Sequence, residues 1–381
     1  MIDNLRSKLV LSEADLHDFA RGAAFLGTGG GGDPYLGRLL CQAALQEYGH
    51  PQIVGLDQLP DDAMVAFVAM LGAPTVLLEK GVSGLDVDLA LQRLQERLGR
   101  PVDALMSAEI GGLNSTLPIV AAARAGLPLV DADGMGRAFP ELQMVVMNFE
   151  GVSSTPFVMV DEHLNSIIVD THSAVRTEQF VRLAAMQMGL SCVVAGYPLT
   201  VDRARTATIP NTMTEALRLG RAIAAGRSSG RPSEALIEAL SSSSVYGYAL
   251  EVFEGKIADL RRTTEGGFNV GYATLESSRG SSRTLEIIFQ NENLVARENG
   301  ELRAIVPDLI TVVDQENAEP IPTESLRYGQ RVKVIAAAAP APLTTPRALE
   351  FIHPRCFGLD EEYIPLEELA RRAQASRDST E

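Results

Sequence analysis

The sequence contains no tryptophan, only three cysteines and few basic residues, and each shortage excludes a class of function. Aromatic residues make up 5% of the chain, so it offers few surfaces on which single-stranded bases could stack. Its 33 Lys and Arg residues stand against 49 Asp and Glu residues, which gives a net charge of −16. Because so acidic a chain repels phosphate backbones and anionic lipids, we expect neither a nucleic-acid partner nor a membrane partner.

The few cysteines and the absence of a long apolar run indicate the compartment. Cys41, Cys192 and Cys356 lie far apart and form no CxxC motif, which is typical of reduced thiols rather than of disulfides or a zinc site. The first residues show no secretory signal, and the longest apolar stretch, 63–78, is interrupted by glycine and proline and is too short to cross a membrane. These features predict a cytoplasmic protein.

The length and the pattern of the chain predict an α/β protein with two domains. Its 381 residues exceed the about 250–300 residues that one hydrophobic core usually holds. Between residues 1 and 240, strand-like and helix-like segments alternate, which predicts a three-layer αβα domain around a mainly parallel sheet. Residues 241–345 contain short strands and glycine turns, typical of an antiparallel, barrel-like β domain. Residues 346–381 are predicted to form a C-terminal segment with a frayed tail.

Several local signals predict where the elements begin and end. Ser12 is expected to open the first helix in a capping box, and Asp33-Pro34 to open the second. The pairs Asn299-Gly300 and Glu254-Gly255 are each interpreted as the turn of a hairpin, since glycine tolerates positive φ. The Gly- and Ser-rich segment 226–244 is interpreted as the linker between the two domains.

The most distinctive segment is 27–34, which reads Gly-Thr-Gly-Gly-Gly-Gly-Asp-Pro. It contains the letters of the dinucleotide-binding GxGxxG pattern, but a predicted helix rather than a strand precedes it. Glycine amides before a helix N-terminus can still bind a carboxylate, a phosphate or an oxyanion. The alternative is a flexible hinge, which four glycines would make costly in conformational entropy. The residues predicted to approach a ligand are Gly29, Gly30, Gly31, Gly32 and Asp33.

Three predicted strands each end in a glycine-containing loop that carries polar side chains. Ligands bind beyond the carboxyl ends of the strands in a parallel sheet, so these loops are expected to share one cleft. Carboxylates gathered there would shift one another's pKa values, which separates an acid from a base. For any single residue, capping of the next helix is an equally good explanation. The side chains concerned are Glu79, Lys80, Glu109, Asn114, Asp131, Asp133 and Arg137.

Metal and cofactor binding stay open at this point. The five histidines are scattered, without HxxxH or HExxH spacing. Glu109, Asp131 and Asp133 can hold a divalent cation through oxygen, and they fit a metal-free acid–base cluster equally well. The sequence has no P-loop and no GxSxG motif, so it indicates no organic cofactor and disfavours an ATPase or a serine hydrolase.

In these segments the chain resembles the S-methyl thiohydantoin desulfurases. The resemblance covers nearly the whole chain, and 131–141 is its most specific part. It implies an αβα-layered N-terminal region and a β-barrel-like C-terminal region. The matching segments are 27–34, 72–74, 79–80, 109–114, 131–141, 307–310 and 326–332.

The resemblance also implies an activity, the hydrolysis of an S-methyl thiohydantoin to a hydantoin with release of methanethiol. This reaction needs a base to activate water, an acid for the ring nitrogen and donors for the ring oxygens. Our hypothesis assigns Asp131 or Glu109 as the base and Asp133 as the acid. Substrate oxygens would be held by Asn114, Lys80, Arg137 and the amides of 29–32.

Two other functions fit the same sequence. One is hydrolysis or isomerisation of another hydantoin-like or small-acid substrate. The other is non-catalytic binding of a nucleotide or metabolite by the glycine loop. All three interpretations have a small molecule as the partner, and none of them fixes whether the chain forms a homo-oligomer.

Overall fold

The structure is a computed structural model of the chain, and it describes residues 10–32, 34–72, 76, 83–265, 268–277 and 282–378. Asp33, Glu79 and Lys80, which the sequence places near the ligand, lie outside these described residues. Within them, helices and strands alternate up to about residue 241, and mainly strands follow. The predicted combination of an α/β region and a later β-rich region is confirmed.

The first part of the chain supplies helices and short strands in alternation. Its helices are α1 (Asp15–Leu26), α2 (Pro34–Tyr48), α3 (Leu85–Leu98), α4 (Gly112–Ala125), α5 (Val146–Phe149), α6 (Ala174–Gln187), α7 (Val201–Ala207), α8 (Thr212–Ser229) and α9 (Pro232–Ser241). Its strands are β1 (Ile53–Val54), β2 (Met64–Gly72), β3 (Ala104–Ser107), β4 (Leu129–Asp133), β5 (Phe157–Val160), β6 (Ser166–Val169), β7 (Ser191–Thr200) and β8 (Ile209–Pro210).

The remaining elements belong mainly to a second sheet. Its strands are β9 (Ala249–Glu265), β10 (Phe268–Ser277), β11 (Thr284–Gln290), β12 (Glu292–Glu298), β13 (Glu301–Ile305), β14 (Leu309–Asp314) and β15 (Arg331–Ala337). Two helices follow, α10 (Pro346–Ile352) and α11 (Leu366–Asp378).

The first sheet is mixed, with the strand order β1-β4-β3-β2-β7-β5-β6 and β8 paired to β4. The pairs β1–β4, β4–β3 and β3–β2 are parallel, because a helix crosses over between the strands. The neighbours of β7 are antiparallel to it. The parallel part therefore presents the carboxyl ends of β2, β3 and β4 at one edge.

Both faces of this sheet are covered, which explains the continuous apolar run in β2, where Val65, Ala66, Phe67 and Val68 are all buried. Side chains of α1, α2, α4 and α8 pack with alternate strand residues on one face. The other face packs against the segment 135–149, α6, α7 and part of the C-terminal region. The result is the predicted arrangement of a sheet between two layers.

The second sheet is antiparallel, with the order β13-β12-β11-β10-β9-β15-β14. Its last strand, β14, returns to contact β12 and β13, so the sheet curls into a half-barrel around its own core. The predicted hairpin at Asn299-Gly300 joins β12 to β13, and both residues have positive φ. The expected antiparallel, barrel-like domain is thus observed.

Two predicted helix starts are also observed. Ser12 Oγ accepts a hydrogen bond of 3.3 Å from the Asp15 amide, and Asp15 Oδ2 accepts one of 3.0 Å from the Ser12 amide. This reciprocal pair is the expected capping box at the start of α1. Pro34 is the first residue of α2, where its missing N–H costs nothing.

Two local predictions are wrong. Glu254-Gly255 lies inside the continuous strand β9 rather than in a turn. A Cβ on Gly255 would collide with the Glu276 carbonyl of the neighbouring strand, so glycine is needed here because the two strands approach each other closely. The supposed linker 226–244 contains the end of α8 and all of α9, since Gly230 closes one helix in the left-handed conformation and Pro232 opens the next. The C-terminal segment contains α11, which buries Leu366 and Leu369 just before the tail expected to fray from about residue 370.

None of the helices in the described part of the chain is long and apolar enough to cross a membrane.

Candidate functional site

A cavity of about 110 Å³ lies at the carboxyl ends of β2 and β3, between the first sheet and the beginning of β12. Its volume is close to the about 150 Å³ of an apolar cavity that takes up one benzene ring. Its apolar lining includes Phe67, Phe157 and Val194. The lining also contains two acidic side chains, Glu109 and Glu292, together with Asn114, Gly31 and Gly32.

Glu109 follows β3 and is 6% exposed. Its Oε1 accepts a hydrogen bond of 2.7 Å from Asn114 Nδ2, and its Oε2 accepts one of 3.3 Å from the Phe139 amide. Burial raises the pKa of Glu109 to about 7, although both hydrogen bonds favour the ionised form and oppose this rise. The Glu109 carboxyl is therefore fixed in orientation and able to change charge near neutral pH.

Asn114 is the residue that holds Glu109 in place. It lies in the first turn of α4, and its side chain is anchored to the end of β2 by two hydrogen bonds with Met70. Oδ1 accepts from the Met70 amide at 2.8 Å, and Nδ2 donates to the Met70 carbonyl at 3.2 Å. This anchor ties the orientation of Glu109 to the backbone of the sheet.

Glu292 is the first residue of β12 and is 2% exposed. Its Oε2 has no hydrogen-bond partner among the described residues. Burial raises the pKa of Glu292 well above its usual value, and the negative charge of Glu109 raises it further. Glu292 is thus a buried carboxyl group that favours its protonated form, whereas Glu109 in the same cavity lining is held by two donors.

Arg137 lies behind the two glutamates and is fully buried. Its Nη2 donates a hydrogen bond of 2.6 Å to Thr28 Oγ1, and its guanidinium lies 4.4 Å from the ring centre of Phe139. Burial lowers the pKa of Arg137 to about 10, so the side chain still carries its charge at neutral pH. That charge favours the ionised forms of Glu109 and Glu292.

The glycine loop joins the two sheets next to this cavity. The Thr28 carbonyl accepts a hydrogen bond of 2.7 Å from the Asn293 amide, and the Gly29 carbonyl accepts one of 2.9 Å from the Thr323 amide. A Cβ on Gly30 would overlap the Glu292 carboxylate. The glycines therefore allow a close approach, here to another part of the chain, and Gly31 and Gly32 also line the cavity.

The two aspartates that end β4 lie outside the cavity wall. Asp131 Oδ1 accepts hydrogen bonds of 2.9 Å and 3.1 Å from the amides of Met213 and Thr214, so it caps the start of α8. Asp133 Oδ2 accepts bonds of 3.0 Å and 2.8 Å from the amides of Met135 and Gly136, and burial raises its pKa to about 7. Asp133 thereby shapes the loop that leads to Arg137.

The structure thus brings together Glu109, Asn114, Gly31 and Gly32 on the cavity wall, with Gly30 and Arg137 directly behind them. Gly29 serves the contact between the sheets, and Asp131 and Asp133 stabilise neighbouring backbone. Among the described residues, no group of three or more His, Cys, Asp or Glu side chains is arranged to hold a metal ion.

Sequence reasoning missed Glu292, which belongs to the second sheet. A signal was present, because Glu292 stands two positions before the apolar run 294–296, where a buried strand is expected to begin. It also missed Arg182, which lines the mouth of the cavity from α6. The Arg182 side chain donates to the Pro140 carbonyl at 3.0 Å and pairs with Glu178 at 2.6 Å.

Comparison with known proteins gives matches along nearly the whole chain. A family model described as "S-Me-THD-like, N-terminal domain" matches residues 14–171, and one described as "S-Me-THD-like, C-terminal domain" matches residues 172–366. A crystal structure of a protein from Chromobacterium violaceum is 25% identical, covers 94% of this chain and 100% of its own, and superposes with a TM-score of 0.78. No curated protein matches the chain.

Proposed function

The chain belongs to the S-Me-THD-like family, and from this premise we propose that it hydrolyses an S-methyl thiohydantoin to a hydantoin and methanethiol. The observation that carries the proposal is the pair of buried carboxyl groups, Glu109 and Glu292, in the lining of one cavity. Buried carboxyl groups with different surroundings are a common means of separating a general acid from a general base.

The surroundings of the two glutamates support a different role for each. Two donors hold Glu109, and hydrogen bonds to a carboxylate favour its ionised form, so Glu109 is the base. Oε2 of Glu292 has no partner among the described residues, and burial favours the protonated form, so Glu292 is the acid. Glu109 is thus kept as the base in preference to Asp131, and Glu292 takes the place of Asp133 as the acid, because neither aspartate lines the cavity.

The proposed reaction takes place in two steps, in which every bond and proton is accounted for. Glu109 takes a proton from water as its oxygen bonds to the ring carbon that carries the methylthio group, and Glu292 gives a proton to the neighbouring ring nitrogen. The carbon–sulfur bond breaks next, and the leaving methanethiolate takes the proton that Glu109 holds. The hydroxyl group gives its proton to Glu292 and becomes the new ring carbonyl, which returns both glutamates to their starting states. No electrons are transferred to or from the substrate in either step.

The shape of the cavity supports a small, partly apolar substrate. The methylthio group finds an apolar surface at Phe67, Phe157 and Val194, and the polar edge of the ring faces the glutamates. At about 110 Å³, the cavity is smaller than the roughly 300–1,000 Å³ of pockets for larger ligands.

The decisive experiment measures methanethiol release from S-methyl thiohydantoins by wild-type protein and by the variants Glu109→Gln and Glu292→Gln. Each variant is expected to lose about 100-fold or more in kcat, since each removes one proton transfer. Glu286→Gln is the control, because it makes the same change at an exposed position on β11, away from the cavity.

Chromatography of the products distinguishes the proposed thiol release from cleavage of a ring amide. Appearance of a ring-opened acid without free thiol would mean that the enzyme cleaves a ring amide instead. Full thiol release by both cavity variants would remove the glutamates from the mechanism.

A further inference from the structure

A second concave surface adjoins the cavity. It is a groove of about 540 Å³ between α6 and Phe268, the first residue of β10, and we call it the α6 groove. Glu141 and Arg182 line the α6 groove and also line the cavity. The two spaces therefore meet at these two side chains, and a ligand in the cavity lies next to the groove.

The α6 side of the groove exposes apolar side chains. Val175, Phe180 and Leu183 all line it, and they are 41%, 49% and 59% exposed. Single exposed apolar residues are common on protein surfaces, but several that line one groove are typical of a binding site. An apolar group that lies in the α6 groove would shield these three side chains from water.

Arg182 fixes the boundary between the groove and the cavity. Its Nε donates a hydrogen bond of 2.8 Å to Glu178 Oε1, and its Nη2 donates one of 3.0 Å to the Pro140 carbonyl. Its guanidinium also lies 4.7 Å from the ring centre of Phe268. These contacts hold α6, the segment around Pro140 and the start of β10 together, so the groove is formed before a ligand binds.

The groove begins close to the proposed base. Glu109 accepts a hydrogen bond from the Phe139 amide, and Arg182 donates one to the carbonyl of the next residue, Pro140. In an S-methyl thiohydantoin, the ring carbon at position 5 is only two bonds away from the carbon that carries the methylthio group. A substituent at position 5 therefore starts near the reacting carbon and is within reach of the groove.

We infer that the α6 groove binds an apolar substituent at position 5 of the ring, so that the substrates are S-methyl thiohydantoins with a side chain such as benzyl. The inference rests on the proposed function and deepens it by naming the substrate class. The cavity of about 110 Å³ is smaller than the about 150 Å³ that takes up one benzene ring, so a benzyl group does not fit beside the heterocycle.

The charges around the groove favour a ligand over a second copy of the chain. Four charged side chains line the groove, those of Glu141, Arg176, Glu178 and Arg182. The buried centres of protein interfaces are depleted of charged residues. A small substituent covers the apolar side chains alone, whereas a partner protein would have to bury the charges with them.

The test measures binding of reaction products, which needs no turnover. We expect calorimetry to show that wild-type protein binds 5-benzylhydantoin at least about tenfold more tightly than unsubstituted hydantoin, because the benzyl group buries apolar surface. The double variant Phe180→Ala/Leu183→Ala should reduce this ratio to less than about threefold. Met186→Ala is the matched control, because Met186 is 47% exposed on the same helix but lies outside the groove lining, and it should retain the wild-type ratio.

Three results would overturn the inference. The first is equal affinity of wild-type protein for the two hydantoins, whatever the variants show. The second is tighter binding of 5-carboxymethylhydantoin than of 5-benzylhydantoin, which would assign the groove to an acidic substituent. The third is a dimer in analytical ultracentrifugation that Phe180→Ala/Leu183→Ala dissociates, which would show that a second copy of the chain covers the groove.

Thiol release is measured separately, so the inference and the proposed function can fail independently. Preferential binding of 5-benzylhydantoin without thiol release from any S-methyl thiohydantoin supports the groove as a binding site and contradicts the proposed reaction. Thiol release from the unsubstituted ring, together with equal binding of the two hydantoins, contradicts the inference and leaves the proposed reaction standing.

Discussion

Arg137 and Thr28 are joined by a hydrogen bond of 2.6 Å between Nη2 and Oγ1, although 109 residues separate them in the chain. Thr28 lies in the glycine loop with a φ of 52°, a left-handed conformation that is uncommon for a β-branched residue. The Thr28 carbonyl is also bonded to Asn293, the neighbour of Glu292. Thr28 therefore positions Arg137 and Glu292 relative to each other without touching the cavity.

Replacing Thr28 tests this positioning role. Thr28→Val keeps the shape but removes the hydroxyl, so Arg137 loses a charge-assisted hydrogen bond and kcat is expected to fall about tenfold or more. Thr28→Ser keeps the hydroxyl and should retain most of the activity. The measurement is kcat and KM for thiol release, together with the pH profile, which shifts only if the charges of the glutamates are disturbed. Equal activity of the two variants would contradict a role for the hydroxyl.

The pH dependence of kcat/KM is expected to be bell-shaped. Glu109 acts in its ionised form, and burial raises its pKa to about 7, so activity should rise through neutral pH. Glu292 acts in its protonated form with a raised pKa, so activity should fall again at higher pH. Because the groups interact, the two limbs report on the pair. An acidic limb near the ordinary glutamate pKa of about 4.3 would argue against Glu109 as the base.

Removing the acid is expected to stabilise the fold while it removes activity. The pKa of Glu292 is raised in the folded protein, so the folded protein keeps a proton that the unfolded chain releases above about pH 4. The free energy of unfolding therefore decreases as the pH rises through this window. Because glutamine does not titrate, Glu292→Gln does not lose stability in this way. Its free energy of unfolding should be higher than that of wild type by at least about 1 kcal/mol at about pH 8, with a smaller difference at about pH 4.

Urea unfolding at both pH values measures this effect. Glu286→Gln, an exposed partner of Arg297, should change stability by less than about 1 kcal/mol at either pH. A Glu292→Gln variant that is equally destabilised at both pH values would show that the carboxylate is needed for folding.

Gly30→Ala is expected to disturb Glu292 specifically. An added Cβ would overlap the Glu292 carboxylate, so the variant should lose about 1–3 kcal/mol of stability through overpacking, together with activity. The double variant Gly30→Ala/Glu292→Ala removes the overlap and should recover much of the lost stability relative to Glu292→Ala alone. Thermal unfolding of all four proteins gives the coupling energy, and additive effects would contradict the contact.

Asp131→Asn separates helix capping from catalysis. Asp131 accepts hydrogen bonds from Met213 and Thr214 at the start of α8, so its replacement should lower stability by about 0.5–2 kcal/mol. Its carboxyl group lies outside the cavity wall, so kcat per folded molecule should stay close to that of wild type. A loss of kcat comparable with that of Glu109→Gln would restore Asp131 as a candidate base.

Much of the first sheet could be predicted from the sequence, because its signals are local. The Ser12 capping box and Pro34 at a helix start are defined within four residues of chain. Glu109 and Asn114 were found because a strand followed by a glycine loop points to the ligand-binding edge of a parallel sheet.

The features that could not be predicted from the sequence depend on contacts between segments that are distant in the chain. Asp131 is a cap because the start of α8, 82 residues later, packs against β4, and nothing near Asp131 records that partner. Glu292 meets the cavity only because the glycine loop pairs with the start of β12. A glycine such as Gly255 can indicate either a turn or a close contact between strands. Only the neighbouring strand, whose Glu276 carbonyl would collide with a Cβ on Gly255, shows that the second explanation applies here.

The division of labour between Glu109 and Glu292 has a consequence for protein engineering. The proposed base, Glu109, lies in the segment matched by one family model, and the proposed acid, Glu292, lies in the segment matched by the other. A gene split between residues 171 and 172 would therefore yield two polypeptides that are each inert and that regain turnover only by reassembling. If each polypeptide were fused to one of two other proteins, thiol release would report whether those two proteins bind each other.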